Sequence, residues 1–317
     1  HQPPQKNIFQ IFPLVFTLLL CLAAACSAED AGQSALVGLA GNNSLVIRPP
    51  SGGQLLIDGT DFRMLVEKLQ ALEQHVQARP CPLVVADTTT IMGLSGNAKW
   101  IGGALAGNGK IYGIPHSSTS VLIIDPTTNT ADITTITGLS GRTKWAGGVL
   151  AGNRKIYGTP FNSAAVLIID PATNTADTTT ITGLSGNNKW YEGVLANNGK
   201  IYGIPWSSTS VLIVDPATNT ADTTTITGLS GVDYKWIGGV LAGNGKIYGI
   251  PYSSASLLII DPATDTADTT TIMGLNGSYK WLGGLLAGNG KIYGIPHVSA
   301  SVLIIDPATN TADTTTI

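Results

Sequence analysis

The residues best able to do chemistry recur at a fixed interval. A Lys-Trp pair stands at Lys99-Trp100, Lys144-Trp145, Lys189-Trp190, Lys235-Trp236 and Lys280-Trp281. Behind each pair, after an Ile-Pro or Thr-Pro, comes His116, Phe161, Trp206, Tyr252 or His297. Aromatic faces stack on the C–H faces of sugars, lysine and neighbouring Asn and Ser can bond sugar hydroxyls, and repetition supplies avidity. A packing role is also open, because a repeated Trp at a strand entrance packs between sheets and a Lys beside it snorkels to solvent. The positions after the Pro vary from copy to copy in loops, where a rigid scaffold carries binding.

Other chemistry has little support. The four histidines, His1, His75, His116 and His297, form no metal-ligand spacing with Cys or carboxylates. The repeated Asp of Ile-Asp-Pro or Val-Asp-Pro (Asp125, Asp170, Asp215, Asp261, Asp306), with Asn129 and Asp132 behind the first, could suggest calcium. An Asp-Pro turn accounts for it without the dense oxygen set calcium needs. There is no Gly-x-Ser-x-Gly elbow and no phosphate-loop frame. A catalytic site needs one special set of residues, whereas these copies differ only in loops, so the expectation is no enzyme, with lactonase-like and quinoprotein propellers as the alternative, and no cofactor. Net charge is −3 with 12% charged residues, against about 25% in an ordinary soluble domain. No Lys/Arg run points to nucleic acid.

The elements that position these residues follow from the period. The tryptophans are spaced 45, 45, 46 and 45 residues apart, the signature of a propeller or solenoid. Each unit reads as four strands: Lys99–Gly107, Lys110–Pro115, Ser120–Pro126 and Ala131–Ile136 in the first copy. Asn108-Gly109 is a hairpin turn, "SVLIID" is apolar enough for burial on both faces, and "DPTTNT" carries turn chemistry. Four antiparallel strands per period describe a β-propeller blade, and the fold class is all-β, a propeller of about five blades. Strand alternation puts the Lys-Trp loop and the variable post-Pro loop on one face of the disc. "NGKIYGIP…SVLIIDPATNTADTTTI" resembles the YVTN and NHL propeller repeats, with kelch character in the Gly-Gly pair, over residues 87–317. The aromatic stations are similar in architecture to five-bladed lectins of the tachylectin type, which implies sugar binding. Asp-Thr-Thr-Thr-Ile occurs at 87–91 and again at 313–317, so one copy is expected to complete the last blade and close the ring. The chain opens on His1 and stops in mid-pattern, the expectation being a piece of a longer frame with six or more blades if it continues.

Residues 1–28 read as a signal peptide around "IFPLVFTLLLCLAAA". "LAAAC" also resembles a lipobox, and membrane attachment enters only if Cys26 is lipidated. Residues 29–60 read as a β-rich segment with two short strands. Residues 61–79 carry Phe62, Leu65, Leu69, Leu72 and Val76 at coiled-coil spacing, or as one amphipathic helix. "GGQLLIDGTDF…LVEKLQALE" resembles segments of trimeric fibre proteins, which implies a homotrimer. Residues 80–86 are a linker, and Cys81 is a quiet thiol or an intermolecular bridge. Asn42 and Asn276 lie in glycosylation sequons. The threonine triplets fall on the outer strand of each blade, an edge that glycans could blunt or neighbours could cover. The reading is a secreted or surface binding module for glycans or extracellular proteins. The alternative is a structural glycoprotein of a self-assembling coat or filament.

Overall fold

The computed structural model describes residues 89–315, and the backbone of Leu36–Leu39, Leu45–Arg48 and Leu55–Ile57. The expected signal peptide, the 61–79 helix and the 80–86 linker, with Cys26, Asn42 and Cys81, lie outside the described residues. The chain divides into two compact units, His1–Ala86 and Asp87–Ile317. In the first, β1 (Leu36–Leu39), β2 (Leu45–Arg48) and β3 (Leu55–Ile57) pair antiparallel in that order. Three strands form where two were expected, because the short run Leu55-Leu56-Ile57 finds a partner in Leu45–Ile47.

The second unit is a β-propeller of five four-stranded antiparallel sheets in chain order. Blade one comprises β4 (Trp100–Leu105), β5 (Ile111–Pro115), β6 (Leu122–Asp125) and β7 (Thr130–Asp132). The next blades begin with β8 (Trp145–Leu150), β12 (Trp190–Leu195), β16 (Trp236–Leu241) and β20 (Trp281–Leu286). Successive first strands lie against one another, so they form the hub. Two of these strands depend on glycine: a side chain on Gly102 would come within 2.9 Å of the Gly147 Cα, and Gly147 itself holds φ +76°.

Two turns depart from the sequence reading. The first hairpin is a three-residue loop, Ala106 N–H bonding the Lys110 carbonyl, with positive φ at Gly109 and not at Asn108. This is a turn closed by one left-handed residue, not a two-residue Asn-Gly hairpin. The fourth strand stops at Asp132 and not at Ile136. The Asp132 carboxylate accepts the Thr134 N–H at 2.7 Å and both following threonine hydroxyls, which turns the chain out of the sheet. Those bonds hold its pKa down to about 2. The outer edge is therefore blunted by a side-chain turn, not presented as a threonine strand.

The core lies between blades. Tyr112, Ile114, Val121 and Ile123 of blade one pack with Trp145, Ile156, Leu167 and Ile169 of blade two, and full burial of such side chains contributes about 1.5–3 kcal/mol each. Ile114 fills the space over Gly148, as Ile204 does over Gly239 and Ile250 over Gly284. The Tyr112 hydroxyl donates to Asn174 Oδ1 in the next blade at 2.9 Å, a bond repeated by Tyr157–Asn219 and Tyr248–Asn310. At the equivalent place Tyr202 donates to the Asp265 carboxylate, which also pairs with Lys200 at 3.1 Å.

Ring closure is where the structure differs most from expectation. Each sheet is complete with its own four strands, and residues 89–91 form a bend, not a closing strand. Among the described residues, β20 does not pack on β4 as neighbouring first strands pack on each other. Among the described residues the blade series is open.

Candidate functional site

The loops after each second strand and before each Lys-Trp meet on one face, as strand alternation requires. The Lys144 N–H bonds the His116 carbonyl at 2.8 Å, and Lys189–Phe161, Lys235–Trp206 and Lys280–Tyr252 repeat the bond. This seam brings the five post-Pro residues into one row. Ring centroids run His116–Phe161 5.6 Å, Phe161–Trp206 6.4 Å, Trp206–Tyr252 5.2 Å and Tyr252–His297 5.6 Å. Tyr191, Tyr234 and Tyr279 join from the Lys-Trp side, Tyr191 stacking on Trp206 at 5.1 Å and Tyr279 lying 5.2 Å from Tyr252. Sequence reasoning foresaw five separate stations, and the structure makes one continuous aromatic strip.

The strip is graded. His116 and Phe161 are buried, and His116 Nδ1 lies 2.9 Å from the Trp145 carbonyl. Tyr234 and Tyr252 are half-buried, and Tyr279 and His297 are exposed. The polar edge includes Ser207 and Ser253, whose hydroxyls accept the Tyr234 and Tyr279 N–H groups. Trp206 Nε1 at the centre is buried with no hydrogen-bond partner, which costs about 1–3 kcal/mol.

The lysines and tryptophans of the repeated pairs take another role. Trp145, Trp190, Trp236 and Trp281 are buried, each Nε1 donating to a backbone carbonyl of its own blade at 2.7–2.8 Å. Lys144, Lys189, Lys235 and Lys280 are buried beside them. Lys144 Nζ donates to the carbonyls of His116, Ser118 and Gly141 at 3.3, 2.7 and 2.9 Å. Lys189 and Lys280 do likewise, and burial lowers both ammonium groups to about 8. Each ammonium sits 5.6–5.8 Å from its tryptophan's ring centre. As ligand contacts these eight residues are corrected to clamps between blades, because all are buried there and, the Lys235 amine apart, their polar groups are engaged by main-chain carbonyls. Among the described residues no blade precedes Lys99 and Trp100, which are partly exposed; Lys99 turns to the Leu94 carbonyl instead. Asn276 is exposed on the loop before Lys280.

One residue escaped the sequence reading. At the hub position held by Gly102, Gly147, Gly238 and Gly283, blade three carries Glu192. Its Cγ lies 3.0 Å from where a Gly147 side chain would start, and its Oε2 2.9 Å from that point on Gly238. Burial raises its pKa. With Tyr191 it gives blade three "WYEG" where the others read Trp-x-Gly-Gly, a signal visible in the copies themselves had strands been compared as closely as loops. Among the described residues no group of three or more His, Cys, Asp or Glu gathers as a metal site.

No family profile matches the chain, and no curated protein matches it. Solved structures share the fold. Virginiamycin B lyase from Staphylococcus aureus is 8% identical with a TM-score of 0.54, covering 90% of this chain and 85% of its own. A streptogramin B lyase is 10% identical with a TM-score of 0.54, covering 87% and 80%. The extracellular domain of the one component system BT4673 from B. thetaiotaomicron is 10% identical with a TM-score of 0.55; the match covers 89% of this chain and 43% of that one. These likenesses show the fold, a β-propeller. They also correct the expectation that the chain is no enzyme: the same architecture carries lyases, and Glu192 breaks the symmetry of the copies within a hub strand, which removes the premise of that expectation.

Proposed function

We propose that the chain is an extracellular binding module that takes a glycan on the aromatic strip of its hub face. The observation that supports this reading is the merging of the five most variable positions into one row of rings. A buried core would repeat one residue type at such a position; here five copies carry four residue types, and the row opens to solvent at Tyr252, Tyr279 and His297. Exposed tyrosine faces offer sugar C–H groups a stacking surface, and adjacent serines offer hydroxyl partners. Glu192 follows Tyr191 in the hub strand and adds an acidic group whose charge acts on the Tyr191 hydroxyl. A glycan array followed by calorimetry tests this. Tyr279→Ala and Tyr252→Ala are each expected to weaken binding about fivefold, in line with about 1 kcal/mol for an aromatic contact, while Trp145→Phe lowers stability and leaves affinity unchanged. Absence of binding to every glycan on the array would sink the reading.

A further inference from the structure

Two departures from the repeat meet in one groove of blade two. The residue two places before the paired lysine is Asn97, Asn187, Asp233 or Ser278 in four copies, and Arg142 in the second. The residue after the variable aromatic is Ser117, Ser207, Ser253 or Val298 in those copies, and Asn162 in the second. Arg142 and Asn162 line an open cavity of about 520 Å³ between the loop entering blade two, 138–144, and the loop joining its second and third strands, 162–165. That size is ordinary for a small-molecule site. A cavity of about 420 Å³ recurs at the same place on blade five, with Ser278 and Val298 where blade two has Arg142 and Asn162. The repeat builds the groove, and the two departures give it a chemistry.

That chemistry is basic and hydroxylic. Arg142 and Lys144 line the blade-two groove, and no carboxylate does. The Lys144 amine is engaged by backbone carbonyls, whereas the exposed Arg142 guanidinium makes no hydrogen bond or ion pair among the described residues. Asp177, next to the groove-lining Thr178, turns its carboxylate to Thr179 and Thr180. Asn162 is fixed from both sides: its Nδ2 donates to Thr143 Oγ1 and its Oδ1 accepts the Asn188 N–H, each at 2.6 Å. One of its amide hydrogens stays free for a ligand. The hydroxyls of Ser140, Thr178 and Thr182 also line the groove and have no hydrogen-bond partner among the described residues. Trp145 lies beneath at 3% exposure, so recognition here is polar and not by stacking.

We propose that the groove of blade two binds an acidic sugar, its carboxylate or sulfate on Arg142 and its hydroxyls on Asn162, Thr178 and Thr182. A guanidinium meets either anion with two parallel N–H donors. A free inorganic anion would use the guanidinium and leave the amide and hydroxyls around it without partners, whereas a sugar ring brings hydroxyls to all of them. The site is separate from the aromatic strip, whose open end lies at Tyr252, Tyr279 and His297, and it stands whether or not the strip binds.

Calorimetry on the full chain at low ionic strength tests this with tetragalacturonate, its uncharged methyl ester, a sulfated galactotetraose and inorganic sulfate. At least one acidic tetrasaccharide is expected to bind, about tenfold or more tighter than the ester, and the one that binds names the acid group. Arg142→Ser, at an exposed position, is expected to weaken that binding by about tenfold or more, the loss of a charged hydrogen-bonded pair. Arg154→Gly removes the same charge at the hairpin, the far end of β8, and is expected to leave the affinity unchanged; circular dichroism confirms both folds. No binding of either acidic tetrasaccharide overturns the proposal. So does an equal loss in both arginine variants, which would mean diffuse charge attraction, or inorganic sulfate binding as tightly as the tetrasaccharides. Binding that survives Arg142→Ser overturns it too, and if that binding fails in Tyr279→Ala the acid sits on the strip, so the two readings fail separately.

Discussion

At the scale of single residues, the hub carboxylate is the departure with the clearest physical signature. Burial raises the pKa of Glu192 from the ordinary 4.5, so the folded chain holds this proton more tightly than the unfolded one. Its protonated form favours folding: stability is greatest below about pH 4.5 and falls as pH rises through the higher folded value, after which the cost is fully present. Glu192→Gln removes that cost. The variant is expected to melt above the wild type at pH 7.5, with the difference shrinking near pH 4; a difference independent of pH would show that charge is not its origin. The residue was legible as a strand-level exception, but a glutamate after a tyrosine carries no sign of burial by itself. What half-buries it is Gly147 and Gly238 on flanking blades, neighbours that only the closed seams reveal.

At the scale of elements, the repeat was legible in outline and misread in its turns. The alternation of Ile-Tyr-Gly-Ile-Pro and Leu-Ile-Ile-Asp fixed which segments pair, and their registers recur from blade to blade. The Asn-Gly pair suggested a two-residue hairpin, yet only its second member is left-handed. Blade two shows what that means, because Arg154 stands there with φ +65° where the other copies have Gly109, Gly199, Gly245 and Gly290. Arg154→Gly is expected to raise stability by about 0.5–1 kcal/mol, the relief of left-handed strain less glycine's entropy, measured by urea unfolding; a lower midpoint would mean the turn is held by the arginine side chain. The fourth strand was read too long for a related reason. Threonine favours strands, but Asp132 captures the backbone N–H groups that strand pairing would use.

At the scale of the whole molecule, the period of the tryptophans was enough to announce a propeller, while nothing in near-identical copies announces whether the first and last meet. Closure depends on how each blade seats on the next, through side chains such as Ile114 over Gly148 and Thr159 over Gly193, and not on any motif. The buried lysines carry a consequence for chemistry in solution. Their amines are buried, those of Lys144, Lys189 and Lys280 among carbonyls, whereas Lys110, Lys155, Lys246 and Lys291 sit in exposed ion pairs with their own blade's aspartates. An acylating reagent applied to the native chain, read by peptide mass spectrometry, should therefore mark the hairpin amines quickly and pass over Lys144, Lys189, Lys235 and Lys280; equal labelling of both sets would mean the seams breathe open. Each spared amine then serves as a built-in gauge of one seam, and gradual denaturation would report the order in which the blades let go of one another.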